Sequence, residues 1–140
     1  MKVQDVMTAQ VVTAKPDATI QSVAKIMAEI DSGAIPITED DKIVGLVTDR
    51  DIVLRVVAKG GDLNGPISAV MSDDVLSCKE EDAVADAVGK MATRQVRRLV
   101  VYNEAGKLAG ILSLGDVAQD FGAKQVGHAL EEISETPQVH

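Results

Sequence analysis

Hydrophobic and polar positions along the first part of the chain predict a strand, a helix, a hairpin of two strands and a second helix. The segment "QVVTA" predicts a short strand, and it precedes a helical stripe at the i, i+3, i+4, i+7 spacing. The segments "AIPIT" and "KIVGLVT" predict hairpin strands around the turn "EDD", and a helix is expected from about residue 49 to 59. The stripe consists of Ile20, Val23, Ala24, Met27 and Ile30.

The same pattern occurs a second time along the chain. The segment "VMTAQVVTAKPDATIQSVAKIM", which starts at Val6, aligns with "VMSDDVLSCKEEDAVADAVGKM", which starts at Val70, at a constant offset of 64 residues. The alignment continues through the hairpin and the second helix, where one extra turn residue raises the offset to 65. The second copy predicts a strand at "DVLSC", a stripe at Val84, Ala87, Val88 and Met91, hairpin strands "RLVVY" and "KLAGILS", and a last helix over about 114–122.

The repeat predicts the domain organisation. We expect a first βαββα repeat over residues 1–61, a second over 62–122 and an acidic C-terminal tail over 123–140. A single repeat is too small to bury both faces of its sheet, so the two are expected to pack together as one pseudo-twofold α/β domain.

Composition narrows the classes of ligand and partner. Hydrophobic residues make up 46% of the chain, but Tyr102 and Phe121 are the only aromatic residues, so a planar ligand would be held by aliphatic side chains. A formal charge of -8 opposes binding to nucleic acid, and no segment resembles a signal peptide or a membrane span. The lone Cys78 suits a reducing compartment. We therefore expect a cytoplasmic protein that contacts neither nucleic acid nor membrane.

A glycine, a hydroxyl and a carboxylate recur at a spacing of three residues where a strand leads into a helix. The two motifs are Gly45-x-x-Thr48-x-x-Asp51 and Gly110-x-x-Ser113-x-x-Asp116. One interpretation is a capping box, which contributes ~1 kcal/mol and needs no ligand. The other is a nucleotide site, in which the hydroxyl donates to phosphate and the carboxylate accepts from ribose. Recurrence in both repeats, and a strand glycine that marks close approach by a ligand or another backbone, favour the nucleotide site.

The two copies, with "VMT", "GAIPIT" and "IVGLVTDRDIV" in the first, resemble a CBS-domain pair, or Bateman module, of the small standalone bacterial kind. The resemblance covers residues 1–122. It implies two units packed through their sheets, with clefts between the repeats that bind AMP, ADP, ATP or related adenosyl compounds. It further implies a regulatory module that needs no other cofactor, forms a homodimer and signals to an unknown client protein.

The resemblance also implies roles for individual residues. Thr48 and Asp51 match the phosphate-side hydroxyl and the ribose-binding carboxylate of one cleft, and Ser113 and Asp116 match those of the other. The backbone around Thr13 and Ser77 resembles the segment that reads the adenine edge. The aliphatic walls around the base correspond to Ile35, Pro36, Ile37, Leu99, Val100 and Val101.

Charged residues distinguish the two clefts. Arg97 and Arg98 match basic positions that face phosphate, whereas the first repeat has Gly33 and Ala34 there. Arg50, which has no counterpart in the second repeat, is expected to compensate. The two clefts are therefore expected to differ in affinity.

Three functions compete on the sequence alone. The first is the adenosyl sensor, and the second is a structural homodimer whose clefts are vestigial and unoccupied. An enzyme ranks third, because no nucleophile and base recur at reactive spacing and no set of metal ligands exists. The expected dimer surface is the second helix of the first repeat, with Ile52, Val53, Val56 and Val57.

Overall fold

A computed structural model describes residues 1–10 and 12–120, which form two compact units. The first-repeat unit consists of residues 12–75, and the second-repeat unit consists of residues 1–10 together with 76–120. The first ten residues thus precede the first repeat's helix in sequence but pack within the second-repeat unit. The expected tail over 123–140 lies outside the described residues.

Five α-helices and six strands are described. In chain order they are α1 (Val3–Val6), β1 (Thr8–Ala9), α2 (Ile20–Ile30), β2 (Ala34–Glu39), β3 (Lys42–Thr48), α3 (Asp49–Ile52), β4 (Ser77–Lys79), α4 (Val84–Arg94), β5 (Arg98–Tyr102), β6 (Leu108–Ser113) and α5 (Leu114–Asp120). A π-helical segment (Val53–Val57) continues α3, and a 3-10 turn (Ile67–Ala69) precedes β4. None of the helices in this described part of the chain is long and apolar enough to cross a bilayer.

The first-repeat unit is built on the antiparallel hairpin of β2 and β3. The predicted turn is confirmed, and both of its central residues, Asp40 and Asp41, have positive φ (52° and 62°), as a two-residue type I′ turn requires. The predicted strand at "QVVTA" is reduced to one parallel bridge between Ala14 and Ile37. A single bridge forms there because Pro16 follows within two residues and has no N–H to continue the ladder.

The second-repeat unit contains a four-stranded sheet in the order β1-β6-β5-β4. β4 runs parallel to β5, and the other two pairs are antiparallel. Thr8 on β1 lies opposite Ile111, just as Ser72 bridges Leu46 in the first-repeat unit. Thr8 is equivalent to Ser72, and Ile111 is equivalent to Leu46, at the offsets of the sequence repeat. In each unit the last hairpin strand, β3 or β6, therefore pairs with a short segment that belongs to the other repeat in sequence.

Each long helix packs its apolar stripe into the core of its own unit. In α4 the predicted residues Val84, Ala87, Val88 and Met91 are all buried. In α2 the buried positions are Ile20, Val23 and Met27, whereas Ala24 is half-buried and Ile30 lies at the exposed end. Both helices end in a left-handed residue, Asp31 in one and Gln95 in the other.

The predicted second helix of the first repeat is present but irregular. Four α-helical residues are followed by a π-helical segment, in which the N–H of Ala58 donates to the carbonyl of Val53. The chain then leaves the helix at Gly60, whose φ of 66° is a conformation that glycine adopts without steric cost. The corresponding helix α5 is described to Asp120.

Candidate functional site

Cross-strand pairing places the candidate residues of the first-repeat unit on one face of its hairpin. Ala34 lies opposite Thr48, and Pro36 lies opposite Leu46. Because side chains alternate along a strand, these residues share a face that we call the site face, while Ile35 points into the core. Thr13 precedes the residue that bridges Ile37, and it therefore also falls on the site face. Its hydroxyl accepts a hydrogen bond from that of Thr38, 3.3 Å away.

The second-repeat unit has the same arrangement. Arg98 lies opposite Ser113, and Ser77 lies beside Val100 in the parallel pair of β4 and β5. The site face of this unit therefore carries Ser77 on β4, Val100 and Arg98 on β5, and Ser113 on β6. It differs from the first-repeat unit chiefly at Arg98, where the other unit has Ala34.

The predicted aliphatic walls divide between the two faces of each sheet. Ile35, Ile37, Leu99 and Val101 are fully buried in the hydrophobic cores of their own units. Strand alternation allows only every second residue to share a face with Thr48 or Ser113. Of the six predicted wall residues, the structure brings Pro36 and Val100 together with the hydroxyls.

Both hydroxyl–carboxylate motifs form capping boxes. The Asp51 N–H donates to Thr48 Oγ1 over 3.1 Å, and the Thr48 N–H donates to Asp51 Oδ2 over 2.8 Å. In the other unit the Asp116 N–H donates to Ser113 Oγ over 3.1 Å, and the Ser113 N–H donates to Asp116 Oδ2 over 3.2 Å. The cap uses each hydroxyl as an acceptor, so its hydrogen can still be donated. Capping and ligand binding are therefore compatible.

The two carboxylates have different additional partners. Asp51 Oδ1 lies 3.9 Å from Nε of Arg55, which also donates through Nη1 to the Val70 carbonyl over 3.2 Å. Asp116 instead accepts from the Thr8 hydroxyl. Neither Arg55 nor Thr8 was among the predicted site residues. The i, i+4 spacing from Asp51 could have indicated Arg55, whereas Thr8 is 108 residues from its partner.

The two strand glycines are required by close packing within their own units. A Cβ atom on Gly45 would lie 2.9 Å from Cγ of Met71. On Gly110 it would collide with the carbonyl oxygen of Thr8 and lie 3.1 Å from Sδ of Met7. The sequence allowed either a ligand or another chain segment as the reason for a glycine at these positions. The close approach of a neighbouring segment accounts for both glycines.

The charges beside the two hydroxyls differ in sign. The Gly33 carbonyl accepts from the Asp49 N–H (2.9 Å), and the Arg97 carbonyl accepts in the same way from the Leu114 N–H (3.0 Å). A Cβ atom on Gly33 would lie 3.0 Å from Asp49 Oδ2, so a carboxylate lies over the position from which the arginine side chain extends in the other unit. Arg50, the predicted compensating cation, is exposed, and its N–H donates to Asp49 Oδ1 over 2.8 Å.

Cys78 is a core residue. Burial raises the pKa of its thiol to about 11, with a further increase from the Asp82 carboxylate and a partial decrease from Lys90. Because successive side chains of a strand alternate, Cys78 and Ser77 point to opposite faces of β4. The backbone carbonyl of Ser77 accepts a hydrogen bond from Lys90 Nζ. Across residues 1–10 and 12–120, no three His, Cys, Asp or Glu side chains are close enough together to hold a metal ion.

Comparison with known proteins identifies this arrangement. The family model described as "CBS domain" matches residues 3–58 and again residues 67–121. The chain belongs to the CBS domain family. It is 41% identical over 133 residues to the CBS domain-containing protein YhcV of Bacillus subtilis, with 94% of each chain covered. The match extends along almost all of that CBS protein, and the chain is a CBS pair rather than an enzyme.

Two solved structures share the fold and contain adenosyl ligands. The CBS domain protein PAE2072 from Pyrobaculum aerophilum, complexed with AMP, is 28% identical with a TM-score of 0.75, over 94% of this chain and 99% of that chain. The CBS domain pair of protein MJ0100, in complex with 5′-methylthioadenosine and S-adenosyl-L-methionine, is 25% identical with a TM-score of 0.76, over 89% and 98%. The predicted α/β fold of two tandem CBS repeats is thereby confirmed.

Proposed function

We propose that this CBS pair is a cytoplasmic regulatory module that binds an adenosyl ligand on the site face of each unit and signals its presence to a client protein. One observation carries the proposal. In both units a hydroxyl that precedes a helix, the carboxylate three residues later that caps it, and a further hydroxyl (Thr13 or Ser77) on the site face occur at equivalent positions. The AMP, 5′-methylthioadenosine and S-adenosyl-L-methionine complexes of the two structural neighbours support this ligand class.

The chemistry of the site face suits a nucleoside. Each of the Asp51 and Asp116 carboxylates accepts one capping hydrogen bond from a backbone N–H, and such a preorganised carboxylate can also accept from the hydroxyls of a ribose. The hydroxyls of Thr48 and Ser113 retain a hydrogen to donate toward the 5′ end of the ligand. The backbone around Thr13, next to the Ala14 bridge, and around Ser77 on β4 is proposed to read the adenine edge.

Aliphatic side chains replace aromatic stacking. Pro36 and Val100, which are both buried, lie on the site face beside Thr13 and Ser77 and are the aliphatic side chains proposed to contact a base. Ile35 and Leu99 support them from the core and are not proposed to touch the ligand. Base binding thus depends on aliphatic contact, in agreement with an aromatic content of 1%.

Arginines specify the charge of the ligand in the second-repeat unit. Arg98 lies directly opposite Ser113, and the Cβ atoms of two residues paired in this way are about 5 Å apart. Arg97 precedes it and is exposed. An arginine opposite a hydroxyl donor, with a second arginine next to it in sequence, favours a 5′-phosphate, so AMP, ADP or ATP is the proposed ligand there.

Calorimetric titration with AMP, ATP, 5′-methylthioadenosine and S-adenosyl-L-methionine tests the proposal. Asp51→Ala and Asp116→Ala should each remove one binding event. Asp82→Ala is the matched control, because its carboxylate also accepts a backbone N–H, that of Lys79 at 2.9 Å, but is not part of either hydroxyl–carboxylate motif. Loss of binding in the control, or retention in both site variants, would contradict the proposed ligand contacts.

A homodimer is the second proposal, favoured by an exposed apolar surface on the π-helical segment. Of the four residues predicted for this surface, Ile52 and Val56 are buried in the core of the first-repeat unit, so the exposed apolar side chains are Val53, Leu54 and Val57 (54%, 39% and 61% exposed). In α5 the positions equivalent to Val53 and Leu54 are Ala118 and Gln119. An isologous contact needs only one such self-complementary surface on each copy. Light scattering should give twice the chain mass of 14.7 kDa for the wild type and the monomer mass for Val53→Asp/Val57→Asp. A monomeric wild type at high concentration would reject the dimer.

A further inference from the structure

The two site faces are equivalent in backbone and opposite in local charge. In the second-repeat unit Arg98 on β5 lies opposite Ser113, Arg97 immediately precedes β5, and the helix begins with the uncharged Leu114. In the first-repeat unit the equivalent residues are Ala34 on β2 and Gly33 immediately before it, and the helix begins with Asp49.

The backbone hydrogen bonds establish this equivalence. Asp49 and Leu114 donate to the carbonyls of Gly33 and Arg97 over 2.9 and 3.0 Å. With the backbones matched, the Asp49 carboxylate lies over Gly33, where its nearer oxygen would be 3.0 Å from a Cβ atom. A side chain at position 33 would therefore have to displace the Asp49 carboxylate from this position.

The remaining charges of the first-repeat unit do not reproduce the arginine pair. Arg55 is engaged with Asp51 and with the Val70 carbonyl. Arg50 and Asp49 are adjacent and both exposed, and the Asp49 carboxylate is the one that lies over Gly33. The residue opposite Thr48 is an uncharged alanine, and the carboxylate of Asp49 lies over the neighbouring Gly33.

We infer that the two units select different classes of adenosyl ligand by the charge at the 5′ position. The second-repeat unit takes an adenosine 5′-phosphate. The first-repeat unit takes an adenosyl compound whose 5′ substituent is uncharged or cationic, such as a thioether or a sulfonium, because Asp49 repels a phosphate dianion and attracts a sulfonium. This inference rests on the proposed function.

Single-site variants isolate the two preferences. In Asp116→Ala only the first-repeat site remains, and calorimetry should give a dissociation constant for S-adenosyl-L-methionine or 5′-methylthioadenosine that is on the order of tenfold below that for AMP. In Asp51→Ala only the second-repeat site remains, and the order should be reversed. A preference for AMP in both variants would overturn the inference.

The charge itself is tested by Asp49→Asn in the Asp116→Ala background. Asparagine keeps an oxygen that can accept the Arg50 N–H, so the helix start is preserved. AMP affinity should rise on the order of tenfold, S-adenosyl-L-methionine affinity should fall, and adenosine affinity should not change. Asp40→Asn is the control, since it removes a charge from the same unit at the far end of the hairpin and suits a residue with positive φ.

Arg98→Ala in the Asp51→Ala background is the reciprocal test. The Arg98→Ala substitution gives the second-repeat unit the residue type that the first-repeat unit has at the equivalent Ala34. It should abolish the preference of this site for AMP over 5′-methylthioadenosine. Adenosyl binding that is insensitive to both Asp49→Asn and Arg98→Ala would overturn this inference and leave the proposed function standing. Failure of the wild type to bind any adenosyl compound would overturn both.

Discussion

The hydroxyl of Thr8 donates to the carboxylate of Asp116, with Oγ1 lying 3.3 Å from Oδ1 and 3.4 Å from Oδ2. Thr8 is on β1, which belongs to the first repeat in sequence but completes the sheet of the second-repeat unit. The proposed ribose carboxylate of that unit is therefore held by a neutral hydroxyl, whereas Asp51 is held by the cation Arg55.

Thr8→Val should strengthen nucleotide binding in the second-repeat unit by a few-fold, because the Thr8 hydroxyl and the ribose hydroxyls compete for one carboxylate. The effect on stability should be below about 1 kcal/mol, since the hydrogen bond is exposed. Titration of AMP in the Asp51→Ala background measures the change. Ser72→Val, at the equivalent position of the first-repeat unit, is the control; weaker AMP binding after Thr8→Val would show that the hydroxyl positions Asp116.

Removal of either cap should destabilise the fold independently of ligand. Thr48→Ala and Ser113→Ala each leave a helix N–H without its side-chain acceptor, and each should lower the free energy of unfolding by ~1 kcal/mol. Urea denaturation without nucleotide measures the loss. Thr48→Ser keeps the hydroxyl and should retain most of the stability, so an equal loss in Thr48→Ser and Thr48→Ala would contradict the capping role.

Substitution by alanine should lower the stability of the fold at Gly110 and raise it at Gly89. At Gly110 a Cβ atom would collide with the Thr8 carbonyl, and relief requires β1 to move, so Gly110→Ala should destabilise by roughly 1–3 kcal/mol. Gly89 lies within α4 with open space around its Cβ direction, and Gly89→Ala should stabilise by roughly 0.5–1 kcal/mol. Thermal unfolding of the two variants side by side gives both signs; a tolerated Gly110→Ala would mean that β1 is not tightly held.

The buried Cys78 should make the fold less stable in strong base. The pKa of its thiol rises from 9.0 to about 11 on folding, so the native state favours the protonated form. This contribution to stability is fully present below pH 9 and is lost as the pH rises toward 11. Urea midpoints between pH 8 and pH 11 measure it. Cys78→Ala should remove this part of the pH dependence, and an unchanged slope in the variant would assign it to other groups.

Reaction of Cys78 with a thiol reagent gives an independent check. Because the thiolate is the reactive form, labelling at pH 8 should be slow in the native protein and fast in urea. Rapid labelling of the native protein would show that the side chain is not held in the core.

Much of the site could be predicted from local sequence. The repeat offset identified the hairpins, the helices and both capping boxes, because these depend on residues within one turn or one hairpin. Strand alternation, applied to "AIPIT" and "RLVVY", would also have separated Pro36 and Val100 from Ile35 and Leu99. The sequence prediction instead assigned consecutive residues to one wall.

The remaining contacts depend on chain segments that are distant in sequence. The pairing of Thr8 with Asp116 and the packing of Met71 against Gly45 join segments on opposite sides of a repeat boundary. Asp49 had no counterpart in the repeat, and nothing local indicates that its carboxylate lies over Gly33. Contacts of this kind follow from tertiary packing and not from propensity or spacing.

Titration of the wild type and of the Asp51→Ala/Asp116→Ala double variant with AMP and S-adenosyl-L-methionine tests the central claim most directly. The account predicts binding to the wild type, with ~2.7 kcal/mol of stabilisation at a ligand concentration one hundred times the dissociation constant. It predicts no binding and no thermal shift for the double variant. Undiminished affinity in a folded double variant would contradict it and leave the two motifs as helix caps alone.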